Sequence, residues 1–163
     1  MDFKYLSDEF YNKYDHVTYP EILEKDKRPY VQTITNINGV VFAIPLRSHI
    51  SHDNVLWSDK KNRCGLDFSK AVVIDDKKYI DEKTKPHIRD NEYKKLLNKD
   101  YVVKNKMEKY ISAYKDAKVD LSNKHNEEFC KYSTLQYFEG YIYTEDEVKE
   151  TLEQVSATLS IEE

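Results

Sequence analysis

The chain is predicted to be an α+β protein, a compact antiparallel sheet carrying flanking helices. Three observations predict it. Runs of β-branched and aromatic residues crowd positions 31–80, an Asn-Gly pair at 38–39 joins two of them, and the long segments with helical periodicity all come after residue 89. Strands first and helices after is the element order of α+β folds. At 163 residues the chain has the length of one domain, 1–163, with room for a real core. Three Gly and four Pro leave few places for a linker.

Taken in order, Phe3-Lys4-Tyr5-Leu6 reads as a short strand. Ser7 is a good N-cap for a short helix, Asp8 to Tyr14, with acids in its first turn. His16 to Lys27 is loop-like, and Pro20 can open a helical turn over Glu21-Ile22-Leu23. Val31 to Thr35 is the first arm of a hairpin. Asn38-Gly39 is its turn. Val40 to Leu46, almost unbroken in apolar residues, is the second arm, expected to be buried on both faces. Val55-Leu56-Trp57 is an apolar island, followed by Gly65-Leu66-Asp67-Phe68. Ala71-Val72-Val73-Ile74 reads as a central strand, and Asp75-Asp76 turns the chain into Lys77 to Ile80.

The second half is helical. Tyr93, Leu96, Leu97, Tyr101, Met107, Tyr110, Ile111 and Tyr114 recur at i, i+3, i+4 spacing, which predicts one long helix from Asp90 to about Lys118. A second helix is expected from about Asn123 to Glu139, with Gly140 as its C′ residue. Thr144-x-x-Glu147 is a capping box. It opens a third, acidic helix through about Thr158, expected to pack against the sheet.

With 39% apolar and 34% charged residues, the composition is polar without being that of a disordered chain. The net charge of −4 argues superficially against a nucleic-acid partner, but its distribution reverses that. From Thr144 onward seven acids face only Lys149, a net of −6, so the remainder carries +2. Lys60, Lys61, Arg63 and Lys70 cluster against Asp67 alone, and local sign governs phosphate binding. Fourteen Tyr suit either a thin amphipathic core or rings offered to nucleobases. Cys64 and Cys130 have no motif spacing and read as two reduced thiols. Met1-Asp2-Phe3-Lys4 lacks an apolar signal core, and no run approaches a membrane span. A cytoplasmic protein with no membrane partner is expected.

The chemistry concentrates where the buried strand ends, at Arg47-Ser48-His49. A buried strand fixes whatever leaves its end. Arginine supplies a planar fork of donors for a phosphate, serine a hydroxyl for a non-bridging oxygen, and histidine a group that moves protons near neutral pH. Together they suit cleavage of RNA by its own 2′-hydroxyl: a base, an acid, and cations for the charge that builds on phosphorus. Lys70, just before the Ala71 strand, is expected to reach the same corner. His49-x-x-His52-Asp53 invites zinc, but it lacks the helical H-E-x-x-H pattern and a fourth ligand. Neither G-x-G-x-x-G nor a P-loop occurs, so no metal and no cofactor are expected.

These residues carry a resemblance. Phe3-Lys4-Tyr5-Leu6-Ser7, Arg28-Pro29-Tyr30-Val31, Gly39 to Ser48 with Ile44-Pro45-Leu46-Arg47-Ser48, Gly65-Leu66-Asp67-Phe68-Ser69-Lys70 and Tyr93-Lys94-Lys95-Leu96 follow an order and spacing similar to endoribonuclease toxins of type III toxin–antitoxin systems. The basic corner looks closest to the CptN-like branch of the ToxN/AbiQ family. The resemblance spans roughly residues 1–140. It implies a twisted antiparallel sheet of Kid/MazF type and metal-independent cleavage leaving a 2′,3′-cyclic phosphate and a 5′-hydroxyl. It also implies a small pseudoknot RNA as antitoxin, held in a closed protein–RNA assembly. The freed toxin would cut cellular mRNA, arresting growth or aborting phage infection.

By position, Ser48 matches the family's active-centre serine, while Arg47 replaces a Thr, His49 a Pro, and Ile50 an active-site Lys. Those departures open the acid/base assignment, which His49 or Lys70 is expected to fill. His49 is assigned proton transfer, Arg47 and Lys70 the phosphate, and Ser48 its orientation. Arg28, Tyr30, His52, Lys60, Lys61, Arg63, Ser69, Lys94 and Lys95 are the expected RNA contacts. A non-catalytic RNA-binding module using the same corner is the alternative. A third reading is an interaction domain whose acidic C-terminal helix docks a basic partner.

Overall fold

The computed structural model describes residues 1–25, 27 and 29–161. Its strands are β1 (Asp2–Leu6), β2 (Gln32–Ile37), β3 (Val40–Arg47), β4 (Val55–Asp59), β5 (Cys64–Asp67), β6 (Val72–Val73) and β7 (Ile80–Asp81). They form one sheet in the order β4-β5-β3-β2-β1-β7, with β6 paired to β3, and every pairing is antiparallel. The helices are α1 (Asp8–Lys13), α2 (Asp90–Leu96), α3 (Asp100–Val119), α4 (Lys124–Lys131), α5 (Glu139–Ile142) and α6 (Glu145–Ile161). The protein is α+β, as the element order predicts.

The hairpin forms where the Asn-Gly pair requires it. Asn38 and Gly39 have φ of 52° and 86°, both positive as a two-residue turn between right-twisted strands demands. Asn36 Oδ1 accepts from Gly39 N at 3.0 Å and closes the turn. Phe42, Ala43 and Ile44 in the middle of β3 are buried. On one side β3 is covered by β2 and on the other by β5 and β6. Ser7 caps α1, accepting from Phe10 N. The helical layer packs on the sheet through α3, whose buried stripe is Val103, Met107, Tyr110 and Tyr114. Much of the tyrosine excess sits in this core: Tyr14 and Tyr79 stack around Phe10 and Phe138.

Five expectations need correction. The long helix is two: it stops at Leu96, Asn98 takes a left-handed φ of 60°, and α3 starts at Asp100. Asparagine enters that region at small cost and ends helices without a Gly, and the turn lets both Leu96 and Val103 stay buried. The second helix also breaks, because Ser133 caps a 3-10 turn over Thr134–Tyr137, and Gly140 lies inside α5. Ala71–Ile74 contributes only the two-residue β6. The Thr134 hydroxyl donates to the carbonyls of Ser69 and Ala71, so their hydrogen bonding goes to the helical layer and not to a ladder. Val55–Trp57, read as an island, is strand β4. Finally, α6 runs to Ile161 and buries none of its residues, so it does not pack on the sheet.

Candidate nucleic-acid site at the end of the central strand

The ladder of β3 ends at Arg47, which is in register with Gly65 of β5. A Cβ on Gly65 would lie 2.4 Å from Leu56 O and 2.7 Å from Val55 Cγ2, so only glycine lets β4 close on β5 here. Arg47 Nη1 donates to Asp67 Oδ2 at 2.8 Å. Asp67 is fully buried. Its Oδ1 accepts from Ser69 N at 2.9 Å and from Ser69 Oγ at 2.6 Å, and it faces His52 Nε2 at 3.3 Å. Asn54 N donates to His52 Nδ1 at 3.2 Å, which puts the ring proton on Nε2, toward Asp67. Burial pushes the Asp67 carboxyl up, but bonds from His52 and Ser69 and the charge of Arg47 outweigh it. The group is held below the ordinary carboxylate range. One nitrogen of the Arg47 fork is therefore fixed, and the guanidinium enters the cavity beside it already oriented.

That cavity is a groove of about 280 Å³. Arg47 and Ser48 form one wall. Tyr30 and Lys25, whose Nζ lies 4.2 Å from the Tyr30 ring centroid, form another. His87 and Arg89, from the segment that leads into α2, complete it. The Tyr5 hydroxyl accepts from His87 N at 3.0 Å and ties that segment to β1. The acid in the wall, Glu92, is buried and takes the Ser58 hydroxyl at 2.8 Å. Among the described residues no carboxylate lies within 4.0 Å of Arg89 or Lys25. Three cations, an imidazole, a hydroxyl and a phenol ring thus face one space, the donors and the stacking surface that a nucleotide needs.

A second hollow of about 390 Å³ lies on the other side of the β4–α2 contact, lined by Trp57, Ser58, Lys60, Lys61, Asn91 and Lys95 together with one acid, Asp59. Ser58 and Glu92, bonded to each other, separate the two. The Arg63 guanidinium stands 5.8 Å from the Trp57 ring centroid, and its Nε donates to Ile50 O.

The expected site residues divide accordingly. Arg47, Ser48 and Tyr30 meet in the groove, and Lys60, Lys61 and Lys95 line the neighbouring hollow. Lys94 is exposed on α2. Lys70 does not join them: its ammonium is paired with Glu21 and donates to Tyr132 O at 2.8 Å. The Thr134 bonds to the flanking carbonyls hold that segment against the helical layer. His49 is exposed at a φ of 60° and outside the groove walls. It reaches the groove only through Ser48, whose Oγ is 3.0 Å from its Nδ1. Ser69 belongs to the buried support of Arg47; His52 bonds the same carboxylate but keeps a third of its side chain exposed. Ile50 is fully buried, so it packs in the interior and offers the groove no polar group. Arg28 lies outside the described residues.

Sequence reasoning missed Lys25, His87, Arg89, Trp57 and Asn91. Lys85-Pro86-His87-Ile88-Arg89 did carry a signal, an imidazole and a guanidinium two residues apart on an extended segment after a proline. Among the described residues no group of three or more His, Cys, Asp or Glu is placed to hold a metal ion, and no helix is long and apolar enough to cross a membrane. Comparison with known protein families, with curated proteins and with solved structures gives no match.

Proposed function

We propose that the chain is an endoribonuclease toxin of a type III toxin–antitoxin system, with the groove at the end of β3 as its active site. The single observation that carries the reading is the pre-oriented Arg47 beside Ser48 in a basic groove that also holds Tyr30, Arg89 and His87. Arg47 and Arg89 would clamp the scissile phosphate and stabilise the charge that grows on it. Ser48 would donate to a non-bridging oxygen, and Tyr30 would stack on a flanking base. Cleavage by the 2′-hydroxyl needs one proton removed and one delivered. Two imidazoles would do that work: His87, which lines the groove, and His49 through the Ser48 hydroxyl. Such proton transfer contributes about 10²–10⁴-fold. The twisted sheet is then of the Kid/MazF kind, the substrate is mRNA, and the inhibitor is a short pseudoknot RNA laid across the groove and the Trp57 hollow.

The test is incubation of the purified chain with end-labelled RNA in EDTA. The expected products carry 2′,3′-cyclic phosphate and 5′-hydroxyl ends, and His87→Ala or His49→Ala slows their formation. Tight RNA binding with no cleavage would instead assign a binding module. Purification without nuclease treatment should bring down a discrete short RNA.

A further inference from the structure

Helix α6 is a 17-residue helix with no buried residue, and its apolar side chains are not scattered. Val148, Leu152, Val155 and Leu159 recur at spacings of four, three and four, the two-heptad stripe of a helix–helix seam. They are 48%, 62%, 51% and 61% exposed. The helix is joined to the body by its capping box and by Lys115 Nζ on Glu147 Oε1 at 2.9 Å. A lone helix of this length is marginal in water, so the stripe calls for a partner.

The charges identify it. Asp146, Glu147, Glu150 and Glu153 fall on the outer positions of the heptad and Glu145 at the N-terminal end of the seam, while the positions beside the seam are Lys149, Thr151, Ser156 and Thr158. An interface built to draw in a basic helix would carry acids beside the seam. Here those positions are small, neutral or cationic, which two copies of one helix tolerate. The acids also lie wholly in the N-terminal half, since residues 154–161 carry no charge. Side-by-side parallel copies would gather every acid at one end. Antiparallel copies place each acidic half along the partner's neutral half and oppose the helix dipoles.

We propose that a second copy of this chain packs along α6 in an antiparallel, two-fold pair. The axis falls between the levels of Leu152 and Val155. Val148 then faces Leu159 of the second copy, and Leu152 faces its Val155, so every layer is one valine against one leucine. Such a pairing is self-complementary, as a two-fold interface must be. Two heptads cover less than the about 1,200 Å² at which stable interfaces begin, so the pair is a weak one that exchanges at micromolar concentration.

Sedimentation equilibrium of the full, nuclease-treated chain in about 0.5 M salt, where RNA bridging is suppressed, tests this apart from any nuclease activity. Across about 1–500 µM the chain is expected to move from monomer to dimer. Leu152→Glu should abolish the dimer without changing the exposed helix's surroundings, and Glu150→Lys on the outer face should retain it. Oxidising a mixture of Leu152→Cys and Val155→Cys chains should give mainly the mixed disulfide. A chain that stays monomeric overturns the proposal, whether or not a Lys-rich amphipathic peptide binds α6 in its place. Equal damage from Glu150→Lys and Leu152→Glu, or preferential 152–152 disulfides, overturns it too.

Discussion

Asp67 is the residue on which the corner depends. Its carboxylate is wholly buried, holds Arg47 by one oxygen and gathers Ser69 and His52 on the other. Removing one member of a buried pair leaves the other charge uncompensated, so Asp67→Ala should cost about 3 kcal/mol in a denaturant titration. The pH dependence has a definite sign. The folded carboxyl lies below its unfolded value, so its stabilisation is full above about pH 4. It is lost as pH falls through the lower, folded value. Asp67→Ala should therefore flatten the acid side of a plot of stability against pH, a result that thermal melts between pH 2 and 6 would read. At Arg47, lysine cannot bond Asp67 and a phosphate as one planar fork. Arg47→Lys is expected to lower the cleavage rate about 10²-fold with RNA affinity little changed. Arg47 and Ser48 were legible because an apolar strand ending abruptly in polar groups is a local pattern. The support under them was not, since it exists only once β5 lies beside β3. Lys70 misled for the same reason: its ion pair is with Glu21, 49 positions away.

At the scale of elements, the hairpin and the caps were written locally, in Asn38-Gly39, Ser7 and Thr144-x-x-Glu147. The breaks were not. A helical stripe continues smoothly through Leu96 and Leu97, and only the positive φ of Asn98 shows that the chain turns there. Asn98→Ala should lower stability by about 1 kcal/mol and Asn98→Gly should not, because alanine alone pays for the left-handed conformation. Gly65 sits at the tightest approach of β4 to β5. Gly65→Ala is expected to destabilise the fold by about 1–3 kcal/mol through forced backbone shifts and to disturb Arg47, its register partner. The segment from Lys85 to Arg89 has no regular structure to announce it, yet it supplies His87, Ile88 and Arg89 to the groove. Its placement comes from the Tyr5 hydroxyl and from the start of α2.

Over the whole molecule, the charge is unevenly distributed. Lys25, Arg47 and Arg89 line the groove and Lys60, Lys61 and Lys95 the neighbouring hollow, whereas α6 carries five acids against one lysine. RNA affinity should therefore fall steeply with salt, and Lys60→Ala or Lys95→Ala should each reduce the slope of log K against log salt by about 0.7. The formal net charge hides this separation, whereas the local counts along the sequence expose it. The account's central claim is that RNA lies in the groove where β3 ends, and photocrosslinking of the chain to RNA containing 4-thiouridine, followed by mass mapping of the adduct, tests it most directly. The adducts are predicted on peptides that contain Tyr30, Ser48 or His87, and they should disappear when unlabelled RNA competes. Adducts confined to α3 or α6, with those three peptides unmodified, would contradict it.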